Sequence, residues 1–305
     1  MSGMFCRHNR LTSKCAICSR EIEDQLRTKS PVRHVHVRKP GATSTPRSAR
    51  STSGTGTTKA NPKRVVTRQL QRAADDGYRN PLVPGLKATA DAERLAGALT
   101  QAEIRLHPPG PYPIIAEEPD LEQATWLAFL LALAGPEAPE LQRALLEARP
   151  RLDDDVSAEL PSPRARAAEA YRAWVQRAGS QESAFTGDAA WTPERRFGRV
   201  FERLALPGFH RAARFDLLAV LGAAGRYPLA ADAVHFVEDD ATTLAAKRAL
   251  VSGDRLLLER RARDLADAAG LPLAALDRGL AVWGTPGDPL DGEPDEGVAA
   301  ALGLT

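Results

Sequence analysis

The sequence predicts a mainly α-helical protein, and three observations carry that expectation. From Pro119 onward, apolar residues recur at helical spacing in one segment after another. Gly or Pro stands at nearly every break between those segments, where a helix cannot continue. The same body shows no β-rich region and no internal repeat of fixed period.

The expected helices span 88–106, 121–134, 140–147, 163–177, 193–206, 210–224, 242–251, 254–269 and 272–282. The second begins on an Asp120/Gln123 capping-box pattern and holds the longest apolar run, 124–135. That run is well short of the ~20 residues a membrane helix needs, so it predicts a buried core helix in a soluble chain. Helix 193–206 has its start written out: Thr192 to cap, Pro193 at the first position and Glu194 in the first turn. Asp254, after Ser252 and Gly253, opens the helix that follows, and Asp239–Asp240 opens the one before it. About 220 residues of this kind suffice for one all-α core or for two closely packed helical lobes.

Charge is distributed unevenly. Residues 1–72 hold 16 of the 41 Lys and Arg but only 3 of the 39 Asp and Glu, a balance of +13 against −11 for the remainder. A basic segment of this kind suits a polyanion through a sequence-independent, salt-sensitive attraction; as a solvated linker it would instead meet the acidic body. Residues 39–63 are rich in Gly, Ser, Thr and Pro without apolar periodicity, which marks a disordered linker. Three regions follow: an N-terminal module over 1–38, a basic disordered linker over 39–80 and an all-α domain over 81–305. Met1–Cys6 is short and polar with no apolar stretch after it, so the cytoplasm is the expected compartment, with association with the nucleoid in keeping with the charge.

All three cysteines lie in the first module. An odd number argues against a disulfide framework, whereas Cys6, His8, Cys15 and Cys18 make a tetrahedral Zn²⁺ donor set with no open position, hence a structural ion. His34 or His36 could supply the imidazole instead of His8.

The stretch with most chemical content is 204–218. Leu206-Pro207-Gly208-Phe209 separates two helical segments, so the chain reads as helix, tight turn, helix. Such a turn exposes backbone N–H groups at the start of its second helix, where the dipole favours an anion, and His210, Arg211 and Arg214 add positive charge. Some eighteen residues on, Asp232 and His235 flank a short apolar segment.

The Leu-Pro-Gly hairpin followed by an Asp at this distance resembles the helix-hairpin-helix DNA glycosylase fold. With the Cys and His pattern at the start, the helix from Glu122 to Leu130 and the run from Ala231 through Lys247–Arg248, it resembles the α-glutamyl/putrescinyl thymine pyrophosphorylase family, clade 3, also described as amino-acid:DNA transferases. The likeness covers the zinc-like start and most of 119–284. It implies a helix-hairpin-helix glycosylase-like domain whose Pro207, Gly208, His210, Arg211 and Arg214 bind DNA. It further implies displacement of pyrophosphate from 5-pyrophosphomethyl-uracil in DNA by an amine or amino acid. Asp232 or His235 would take the proton of the incoming ammonium, and Lys247, Arg248 and Arg214 would stabilise the departing pyrophosphate, with a divalent cation as a further aid.

Two departures matter. His210 stands where glycosylases have a second Gly, and Ala212 stands where bifunctional ones have their Schiff-base Lys. Monofunctional glycosylase activity centred on Asp232, and a non-catalytic zinc-containing DNA-binding protein, are the competing readings.

Overall fold

The computed structural model describes residues 73–156, 160–238, 240–285 and 293–305, all within one compact unit, Val66–Thr305. The zinc motif and the linker as far as Arg72 lie outside the described residues, as does Asp239. Every regular element described is a helix: α1 Thr89–Leu106, α2 Pro113–Glu117, α3 Leu121–Ala134, α4 Pro139–Ala148, α5 Ser162–Ala178, α6 Gln181–Thr186, α7 Pro193–Arg203, α8 Arg211–Ala223, α9 Ala241–Leu250, α10 Arg255–Ala269, α11 Leu273–Gly284 and α12 Glu296–Ala301. Mainly helical architecture is therefore what the described residues adopt, and no described helix is long and apolar enough to cross a membrane.

The helix ends follow the local chemistry. Thr192 accepts a hydrogen bond from the Arg195 amide, and Asp254 accepts one from Leu257. Asp120 accepts from the amides of Glu122 and Gln123, but Gln123 does not close a reciprocal box. Its side chain instead donates to the carbonyls of Arg149 and Pro150, because the chain after α4 returns to that corner. Helix α7 stops at Arg203, three residues before the expected end, since the Pro207 turn begins to unwind the backbone at Leu204. Residues before 81 are built into the body: Tyr78 donates from its hydroxyl to the Leu302 carbonyl, and Asn80 donates to Ala301.

Two apolar cores divide the unit. One is formed by 115–227, with Trp126, Phe129, Tyr171 and Phe185 fully enclosed. The other draws on both ends of the chain, joining Val83, Leu86 and α1 to residues 234–302. The chain thus leaves one lobe after α1, builds the other, and returns through the segment between α8 and α9. In the first lobe the rings of Trp126, Phe129 and Tyr171 stack, and Phe209 packs 5.0 Å from Phe129. Two pairs of buried polar groups are matched inside this lobe: the hydroxyls of Thr125 and Tyr227 meet at 2.8 Å, and Tyr171 donates to the Gln181 side-chain oxygen at 2.7 Å.

Replacing Thr125 with Val keeps the volume but leaves the Tyr227 hydroxyl without its buried partner. A loss of about 1–3 kcal/mol in unfolding free energy is expected, read from the shift of the urea midpoint.

Candidate functional site between the lobes

The turn between α7 and α8 follows from its residues. The Phe209 amide donates to the Leu206 carbonyl at 3.0 Å, with Pro207 first and Gly208, at φ +79°, second of the central pair. That is a type II turn, which places Pro where φ is preset and Gly where φ must be positive. A Cβ at Gly208 would also come within 2.8 Å of the Pro163 carbonyl. Phe209 is buried and holds the turn to the core, which leaves Pro207, Gly208 and His210 exposed. No side chain caps the start of α8, so its first-turn N–H groups remain available to an anion.

Beside this turn lies a cavity of about 670 Å³ between the lobes. Gly208, His210, Ala212 and Asp216 form one wall, the start of α9 another, and Asp277, Arg278 and Trp283 of α11 a third. Its size falls within the range of small-molecule sites. Burial pushes the Asp216 carboxyl above its ordinary value, with Arg278 and Arg105 acting the other way. Burial likewise raises Asp277, opposed by Arg211 and assisted by Asp240 and Asp216.

Arg211, expected at the phosphate, is turned inward and only 3% exposed. Its guanidinium meets Asp277 at 2.5 Å and Asp240 at 3.2 Å, donates to the Val234 carbonyl, and lies over the Phe215 ring. Asp240, expected as a cap of α9, gives that helix no side-chain cap and pairs with Arg211 instead. An ion pair with a buried guanidinium outweighs an exposed cap, because an unpaired charge in that place is costly.

Asp232 and His235 are brought together, His235 Nε2 lying 2.8 Å from Asp232 Oδ1, but they are not among the residues lining the cavity. Gly198 of α7 makes room for the carboxylate: a Cβ there would lie 2.6 Å from its Oδ2. The His235 ring stacks on Phe201 at 4.2 Å, and its backbone is left-handed at φ +58°. Arg214 packs over Phe201 as well, at 4.4 Å, and donates to the Phe201 carbonyl. Burial, then the nearby Arg211, lower its guanidinium from the ordinary value. Lys247 and Arg248 lie on α9, where Arg248 sits over the Trp283 ring, 3.6 Å from Asp91; neither residue lines the cavity. The basic residues that do include Arg94, Arg164 and Arg278, of which Arg164 is committed to the carbonyls at the end of α3 and to Glu137.

Sequence reasoning passed over Asp216, Asp277 and Glu259. The first two were legible only as acids interrupting apolar helix faces. Glu259 of α10 accepts from the amides of both Val234 and Phe236, at 2.9 and 2.8 Å, and so clamps the segment carrying His235. Arg263 donates to the Asp232 carbonyl from the same helix. Among the described residues, no group of three His, Cys, Asp or Glu side chains is arranged to hold a metal ion.

The fold and cavity define a two-lobed helical protein with a hairpin turn at the mouth of an interlobe site. Residues 151–285 match the family model for alpha-glutamyl/putrescinyl thymine pyrophosphorylase clade 3. That stretch, which is similar to this family, carries the hairpin, the Asp232–His235 pair and most of the cavity wall. No curated protein and no solved structure matches the chain.

Two substitutions test the residues that hold the site in place. Glu259→Gln removes one acceptor of the clamp, and faster hydrogen exchange at the Val234 and Phe236 amides is expected. Arg211→Met leaves Asp277 buried without its counter-charge, so a loss of about 3–5 kcal/mol in stability is expected by denaturant unfolding.

Proposed function

We propose that the protein is a DNA base-modifying transferase that displaces pyrophosphate from a 5-pyrophosphomethyl-uracil-type base with an amine or amino acid. The observation that carries this reading is the cavity between the lobes, with the exposed Pro207–Gly208 turn at its edge and ionisable groups in its walls. The uncapped start of α8 suits a backbone phosphate beside the target nucleotide, and His210 adds charge there. A base extruded from the duplex is of a size to enter the cavity, which it must do for its 5-methylene to meet a nucleophile. Ala212 in that wall offers no amine, so the Schiff-base route of bifunctional glycosylases is not open to this position.

The Asp232–His235 pair supports a second reading, monofunctional glycosylase activity, because it presents a positioned carboxylate that is about one-third exposed. The N-terminal donors Cys6, His8, Cys15 and Cys18 suit a structural Zn²⁺ that aids folding rather than chemistry.

Nucleoside mass spectrometry after incubation with DNA carrying pyrophosphorylated 5-hydroxymethyl-uracil and mixed amines tests the reaction. An amine adduct with release of pyrophosphate is expected; free base and an abasic site, lost on Asp232→Asn, would establish the glycosylase instead. Metal analysis of the purified protein is expected to find about one zinc per chain, abolished by Cys15→Ser with Cys18→Ser.

A further inference from the structure

We propose that Asp216 is the proton acceptor for the amine nucleophile, and that the amine binds in the cavity between Asp216 and Asp277. This rests on the transferase reading above.

Asp216 lies one helical turn beyond Ala212 on α8, on the same face, and both line the cavity. Its neighbours in sequence, Phe215, Leu217 and Leu218, are buried in the lobe core. Nothing structural accounts for the acid: among the described residues its carboxylate makes no hydrogen bond and no close ion pair. Across the cavity, Asp277 is 8% exposed and is paired through its Oδ1 with Arg211 at 2.5 Å. A half-buried carboxylate in a cavity wall with no donor of its own, as Asp216 is, points to a donor that arrives with a ligand. An ammonium group brings three N–H donors and the opposite charge, and so suits Asp216, with the nearby Asp277 adding negative potential.

The groups facing Asp216 come from every side. Arg105 of α1 and Arg278 of α11 favour its charged form; Tyr112, ahead of α2, and Asp277 are coupled to it. Burial outweighs the two arginines and raises the carboxyl, which brings it nearer to the ammonium it must deprotonate.

The step balances as follows. A proton passes from the ammonium to the Asp216 carboxylate, which frees the nitrogen lone pair. That pair forms the C–N bond at the 5-methylene carbon, while the C–O bond breaks and its electrons leave with pyrophosphate. The product is a secondary ammonium, and Asp216 returns its proton to water.

Binding and turnover are measured separately on Asp216→Asn and Asp216→Glu. The raised carboxyl has a stability sign: the folded state holds its proton more tightly than the unfolded chain. Stability therefore falls as pH rises from the ordinary carboxylate value through the raised one. Asp216→Asn removes that loss, so its Tm at neutral pH is expected to equal or exceed wild type.

With n-butylamine as probe and n-butanol as uncharged control, calorimetry without DNA is expected to show amine binding weakened at least roughly tenfold in Asp216→Asn. Asp216→Glu is expected to restore part of it. The acidic limb of the kcat/KM profile is expected to disappear in the Asn variant. Equal amine affinity and equal adduct formation in wild type and Asp216→Asn would overturn the proposal while leaving the transferase intact. Amine binding that depends on Asp216 in a protein that forms no adduct would uphold the amine site and overturn the transferase.

Discussion

One buried guanidinium fixes the geometry on which the site depends. Arg211 opens α8, immediately after the hairpin turn, and reaches Asp277 on α11, Asp240 ahead of α9 and the Val234 carbonyl in the returning segment. It therefore joins a helix of one lobe to three parts of the other. Desolvating this charge is expensive, and two carboxylates with a carbonyl offset it only while all stay in place. The distance between the cavity's walls is set by that requirement, as packing of apolar side chains alone would tolerate small slides.

The turn exposes its backbone for a related reason. Phe209 is drawn into the ring cluster of Phe129 and Tyr171, and Gly208 takes the positive φ that lets Pro207 stand out to solvent. Backbone N–H groups at the start of α8 are left uncapped next to a cavity holding both acids and arginines. A polyanion and a small cation can thus be received a few residues apart on one helix. In the proposed reaction a phosphate would meet the N-terminal end and the ammonium would meet Asp216 one turn further along.

The segment between α8 and α9 has no regular structure of its own, and it is held by side chains from elsewhere. Glu259 and Arg263 of α10 take its amides and a carbonyl, Thr243 accepts from Val237, and Phe201 of α7 receives the His235 ring. The left-handed backbone at His235 persists because these contacts over-determine it. Asp232 and His235 are consequently a preassembled pair placed apart from the cavity lining, where Asp216 and Asp277 are held by helices.

Much of the fold was legible in the residues. Helix α3 was placed to the residue, because Asp120 starts it and Gly135 ends it, and those effects act within one turn of the chain. The type of turn at Pro207–Gly208 was fixed in the same local way. Short helices such as α2, α6 and α12 were not legible, since five or six residues carry too little periodicity and gain their stability from packing. Nor could the sequence tell that Arg211 faces inward while His210 faces out, although both follow the same turn. Adjacent residues on a helix point some 100° apart, and which direction is the interior depends on where the second lobe lies. The chain's local chemistry determined its helices and their ends; only the packing of two lobes decided which acids share a cavity, because Asp216, Asp240 and Asp277 lie 24 to 61 residues apart and come from both lobes.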